Sequence, residues 1–149
     1  MDMQMPDNST IEKFISRAVS VSAQVVRAGN DEEVAELVRG YGETYGSENV
    51  GVAYASHAVA DTGTCVVETD DEEARLKTML PETSVLIVKK SSIVPTLPDL
   101  APYIRDRQKD GRISYTSLIT GPSRTADIER VGAVGVHGPL RVIIVLAEG

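Results

Sequence analysis

The residues best suited to chemistry lie in one polar stretch, Thr120-Gly121-Pro122-Ser123-Arg124-Thr125-Ala126-Asp127-Ile128-Glu129. It follows an apolar run, Ile113–Ile119, that reads as a strand, and it reads as the opening of a helix. Gly121 lets the backbone turn sharply and approach a ligand closely. Ser123 and Thr125 are residue types that cap helix N-termini and keep hydroxyls to spare. Free N–H groups at a helix start, together with the Arg124 guanidinium, make a site for a carboxylate or phosphate. Asp127 and Glu129 compete with a bound anion, and a capped helix in which Arg124 pairs with either of them is the alternative reading.

A second turn, Gly135-Val136-His137-Gly138-Pro139, precedes the final apolar run. Glycines on both sides of His137 point to close backbone approach, with Gly138 touching the ligand. If His137 meets Asp127, the carboxylate fixes the imidazole tautomer and leaves the other nitrogen for acid–base catalysis. A lone histidine is also a common structural residue, and His57, in a short polar connection, is the weaker candidate. The loop Ala60-Asp61-Thr62-Gly63-Thr64 enters a strand. Gly63 and Thr64 therefore belong at the end of the sheet opposite the ligand crevice, unless that strand is antiparallel.

Nothing in the chain suggests a resident cofactor. Its single cysteine, Cys65, lies in the run Thr64-Cys65-Val66-Val67 and reads as a small packed apolar residue. One thiol builds no disulfide, cysteine zinc cage or iron–sulfur cluster. His57 and His137 stand in separate loops without metal-ligand spacing, so no metal is expected.

The elements that must position these residues follow from hydrophobic period. Ile11, Phe14, Ile15 and Ala18 recur at helical spacing after a loose tail over residues 1–9. Ala23–Arg27 is a short strand. Asn30 and Glu33 have the spacing of a capping box before a helix with Val34, Leu37, Val38, Tyr41 and Tyr45 on one face. Val50–Ala55, Thr64–Glu68, Val85–Lys89, Ile113–Ile119 and Arg141–Leu146 complete the strands. Asp70–Glu73 opens a helix that buries Leu76, Met79 and Leu80 before Pro81. Thr96–Asp110 is helical, starting late or kinking at Pro102. Strands that are apolar runs, alternating with helices, predict an α/β domain with a mostly parallel sheet covered on both faces. Residues 10–149 form that single domain.

Composition narrows the function. At 149 residues and 42% hydrophobic, the chain can bury a continuous core. Its net charge of −7 argues against nucleic acid, whose binders neutralise phosphates with Lys and Arg. No apolar stretch approaches the roughly 20 residues that span a bilayer, and the polar first ten residues contain no secretory h-region. A cytoplasmic protein is expected.

The order Ala60-Asp61-Thr62-Gly63-Thr64, Leu80-Pro81, Ile93-Val94-Pro95-Thr96-Leu97, Thr120–Glu129 and Gly135–Pro139 resembles the LUD (lactate-utilisation) domain family. The likeness runs from about His57 to Leu146 and is looser in the helix–strand–helix start. It implies a three-layer α/β/α fold of the ribose-phosphate isomerase and CoA-transferase group. It also implies a part in oxidation of L-lactate to pyruvate, beside partner proteins carrying iron–sulfur clusters. Two departures stand out. Gly46–Val59 is shorter than the family's usual stretch, and Asp61 stands where the family often has glutamate. The expected function is an accessory, small-carboxylate-binding component of that oxidation. The alternative is a stand-alone enzyme or binding domain for a phosphate-, acyl- or carboxylate-bearing metabolite. A homodimer is compatible with either function.

Overall fold

The computed structural model describes residues 6–69, 82–109, 115–122, 125–127 and 139–148. The helix expected after Asp70 and the Gly135–Gly138 part of the histidine turn lie outside them.

The first helix, α1 (Asn8–Ser20), begins inside the segment expected to be a tail. Asp7 is the reason: its Oδ1 accepts the Thr10 backbone N–H at 2.8 Å, so the cap forms ahead of the apolar stripe. After β1 (Gln24–Ala28), Asn30 caps α2 (Asp31–Tyr45), its Oδ1 accepting from Glu33 N at 2.9 Å. Glu33 Oε1 in turn accepts from Gly29 N at 2.8 Å, one residue further out than a standard box. Gly46, at φ +89°, ends the helix.

The remaining strands are β2 (Val50–Tyr54), β3 (His57–Val59), β4 (Thr64–Thr69), β5 (Thr83–Lys89), β6 (Ile93–Val94), β7 (Tyr115–Ile119), β8 (Thr125–Asp127) and β9 (Arg141–Ala147). A 3₁₀ turn over Leu97–Leu100 leads into α3 (Ala101–Lys109). The late start expected at Pro102 is what occurs. Thr96 and Asp99 cap the turn reciprocally, and Pro102 takes the second position of α3, where its missing N–H costs little.

The strands form two sheets, not one. The first, in the order β1-β9-β5-β2, is wholly parallel, as the fold class requires. The second runs β6-β3-β4-β7-β8 and is antiparallel except where β3 meets β6. Thr64–Glu68 and the described part of Ile113–Ile119 belong to this second sheet, which corrects their expected place in the parallel one. A continuous apolar run signals burial on both faces and says nothing of strand direction. β3 and most of β4 in the second sheet are buried on both faces too.

Among the described residues, three apolar clusters hold the layers together. On one face of the parallel sheet, Val85, Ile87, Ile143 and Val145 pack under Val34, Leu37, Val38 and Tyr41 of α2. On its other face, Leu86, Val88, Val142, Ile144 and Leu146 meet Ile11, Phe14 and Ala18 of α1. Ala58, Cys65, Val67 and Ile119 of the second sheet join the same cluster. The outer face of that sheet buries Val59 and Val66 beneath Leu100, with Ile104 of α3 packed alongside. Helices thus flank both sides of the parallel sheet.

Candidate functional site

Strand direction decides what meets at the site. Because β4 and β7 are antiparallel with Cys65 opposite Ile119, the first residue of β4 lies beside the residue that follows β7. Thr64 Oγ1 is accordingly 2.7 Å from Thr120 Oγ1, and 2.7 Å from Thr62 Oγ1 on its own loop. One hydroxyl serves both contacts, in each of which either oxygen can be the donor. The antiparallel exception that would bring Gly63 and Thr64 to the Gly121 loop is therefore the observed case.

A third segment joins them. Ala60 N donates to Val94 O at 2.9 Å and Asp61 N donates to Pro95 O at 3.0 Å. Ala60–Thr64, Ile93–Pro95 and Thr120–Pro122 thus converge at one end of the second sheet.

The two glycines have a packing role. Gly63 (φ +70°) and Gly121 (φ +68°) occupy the left-handed region that disfavours side chains. A Cβ at Gly121 would lie 2.1 Å from Val21 O, and one at Gly63 would lie 2.6 Å from Ala18 N. Both glycines make room for the last turn of α1. Gly121 approaches the Val21 backbone closely.

The reading of Thr125–Asp127 as a helix start is also corrected. These residues are β8, paired antiparallel with β7 so that Ile119 faces Thr125 and Ser117 faces Asp127. An exposed β7 edge offers Thr-Ala-Asp a hydrogen-bond ladder, and three residues of no strong helical pattern take it. No helix N-terminus is available at these positions to hold an anion. Ser123, Arg124, Glu129, His137 and Gly138 lie outside the described residues, so the site's remaining members stay expectations.

Two cations come from an element that sequence reading left out of the site. Lys13 of α1 places Nζ 2.6 Å from Asp61 Oδ1. The hydrogen bond and charge of Lys13, with the charge of Arg17 added, hold the Asp61 carboxyl below its ordinary value. Lys13 and Arg17 stand four residues apart on α1, so they share one face beside the apolar stripe. That spacing was the available signal.

Two titratable candidates are buried. Cys65, next to Thr64, is wholly buried, and desolvation pushes its thiol up to about 12, which removes it as a nucleophile. His57 on β3 is also buried, on the outer face of the second sheet and away from the α1 side. Among the described residues, no three His, Cys, Asp or Glu side chains are grouped to hold a metal ion. No described helix is long and apolar enough to cross a membrane. What this end of the sheet offers is hydrogen bonding from three threonine hydroxyls, with two cations on the neighbouring helix.

Comparison with known proteins places this arrangement. The LUD domain model matches residues 42–147. Lactate utilization protein C of Geobacillus thermodenitrificans (strain NG80-2) is 40% identical over 100 residues, which are 66% of this chain and 42% of that protein. Lactate utilization protein C of Bacillus subtilis (strain 168) is 39% identical over 102 residues, 67% of this chain and 42% of that one. The chain spans less than half the length of the curated relatives it matches. A crystal structure of a DUF162 family protein from Deinococcus radiodurans superposes with a TM-score of 0.63 at 15% identity, covering 93% of this chain and 96% of that one. That likeness is one of fold.

Proposed function

We propose, because this chain belongs to the LUD domain family, that it is an accessory, small-carboxylate-binding component of lactate utilisation. The observation that carries the reading is the meeting of Ala60–Thr64, Ile93–Pro95 and Thr120–Pro122 around the Thr62, Thr64 and Thr120 hydroxyls. These are segments through which the chain resembles the family, and folding gathers them at one place. Lys13 and Arg17 supply positive charge beside that place.

In this reading the hydroxyls and the Arg124 guanidinium hydrogen-bond the carboxylate of L-lactate or pyruvate. His137, its tautomer set by Asp127, exchanges the substrate hydroxyl proton. Oxidation of lactate to pyruvate also breaks the C2–H bond, whose proton leaves to solvent, and releases two electrons. The chain has one cysteine, which is buried, so iron–sulfur partners take them. The names of the relatives support the lactate assignment.

A second reading is a binding domain for a phosphate- or acyl-bearing metabolite, to which the Thr62, Thr64 and Thr120 hydroxyls can equally donate. A thermal-shift series with L-lactate, pyruvate, inorganic phosphate and acetyl phosphate separates the two, since a ligand that binds only the native state raises its melting temperature. Saturable stabilisation by L-lactate or pyruvate supports the lactate reading. Stabilisation by the phosphates alone supports the other, and no shift with any compound overturns both.

A further inference from the structure

On the outer face of the second sheet, three ionisable side chains are packed together. The His57 ring on β3 lies 4.2 Å from the Tyr103 ring of α3, tilted by 58°. Tyr103 donates its hydroxyl to Glu68 Oε2 on β4 at 2.7 Å. His57 is 7% exposed, and its Nδ1 is buried without a hydrogen-bond partner. A buried polar nitrogen left without a partner costs free energy, so the arrangement calls for an explanation beyond packing.

We propose that His57, Tyr103 and Glu68 form an acid-released latch that holds α3 against the second sheet. Tyr103 bridges the two strands, its ring on His57 and its hydroxyl on Glu68, so α3 is seated by one aromatic side chain between a base and a carboxylate. Among the described residues, its other apolar contacts are those of Leu100 and Ile104 with Val59, Val66, Val94 and Leu118, in a small cluster. Elements held by few apolar contacts open first. A proton on His57 puts charge beneath α3, where the ring is shut off from water. Lifting α3 hydrates that charge.

Among the described residues, the elements around His57 bring few charges to offset it. Glu68 comes from β4, and its Oε2 already accepts from Tyr103. Tyr103 comes from α3, whose Arg105 and Asp106 are exposed. β6 and β7 bring Val94 and Leu118 to this face. The balance favours the neutral ring: burial lowers the proton affinity of His57 below its ordinary value, and the Glu68 charge only partly opposes this. The sign follows. A histidine depressed in the closed form favours closure at pH above its free value of about 6.5 and loses that contribution as pH falls below it. The latch also adjoins the threonine cluster, since the strand carrying His57 runs into Ala60 and Asp61, whose N–H groups donate to Val94 and Pro95 just ahead of the α3 turn.

Amide hydrogen exchange over residues 101–106 tests this, at pH 7.5 and 5.5 and corrected for intrinsic exchange. Wild-type protection falls threefold or more at the lower pH, up to the roughly tenfold that one proton on a group of free pKa about 6.5 allows. His57→Gln abolishes the fall. A wild-type change below threefold, or the same fall in His57→Gln, overturns the latch. Should that variant not fold, NMR titration of the wild-type imidazole decides. A midpoint below 6.5 that coincides with shifts of the α3 amides supports the latch. A midpoint at or above 6.5, or α3 signals that do not follow, contradicts it.

Discussion

Thr64 Oγ1 and Thr120 Oγ1 lie 2.7 Å apart although 56 positions separate them in the chain. The contact joins two segments that the sequence singles out separately, and it exists because β4 and β7 run in opposite directions.

That pair couples energetically. Thr64→Val and Thr120→Val each remove one hydroxyl and leave the other with a lost partner, at a cost of about 1 kcal/mol. The double variant costs less than the sum of the two, by about 0.5 kcal/mol or more. Urea unfolding of the four proteins measures this, and strict additivity would remove the contact from the account.

Gly121 and Gly40 are expected to respond in opposite directions. Gly121→Ala forces a Cβ to 2.1 Å from Val21 O at a positive φ and destabilises by at least about 2 kcal/mol. Gly40, inside α2, has nothing within 4 Å of an added Cβ, and Gly40→Ala stabilises by about 0.5–1 kcal/mol. Equal effects in chemical denaturation would contradict the seating of α1 on the Gly121 turn.

Cys65 reports on unfolding. With its thiol pushed up to about 12 and no exposed surface, the thiolate fraction at pH 8 is about 10⁻⁴. Iodoacetamide therefore modifies the protein through its unfolded form, in proportion to that form's population, and stabilising variants such as Gly40→Ala slow the reaction accordingly. Rapid labelling without loss of structure would show an accessible thiol.

Lys13→Ala raises the Asp61 carboxyl toward its ordinary value, because the hydrogen bond and charge that hold it down are gone. Both groups are about half exposed, so the melting temperature changes little. Carbon-13 titration of Asp61 checks the first statement and calorimetry the second. A carboxyl that titrates unchanged would place Lys13 elsewhere in solution.

These residues also show what a sequence can convey. Helices α1 and α2 are legible because the 3.6-residue period and the Asn30–Glu33 spacing are local signals. The central strands β5 and β9 are legible because seven-residue runs such as Arg141–Ala147 are almost wholly buried. The direction of β4 is not legible, since burial on both faces makes Thr64–Thr69 apolar whichever way it runs. Nor are β3, β6 and β8, since two or three residues are too few to display a strand period. At the site, Thr64, Gly63 and Gly121 were visible from residue type. Lys13 and Arg17 were not assigned to it, because only tertiary packing brings α1 to the threonine cluster.

Calorimetric titration with L-lactate and pyruvate tests the central claim most directly. The account predicts saturable binding to the wild-type protein. Arg124→Ala weakens it by about 1.5–3 kcal/mol, roughly 10- to 150-fold, and Thr64→Val weakens it as well, while Gly40→Ala leaves it unchanged. Absence of binding, or binding that Arg124→Ala and Thr64→Val leave intact, would contradict a carboxylate site at the junction of Ala60–Thr64 and Thr120–Pro122.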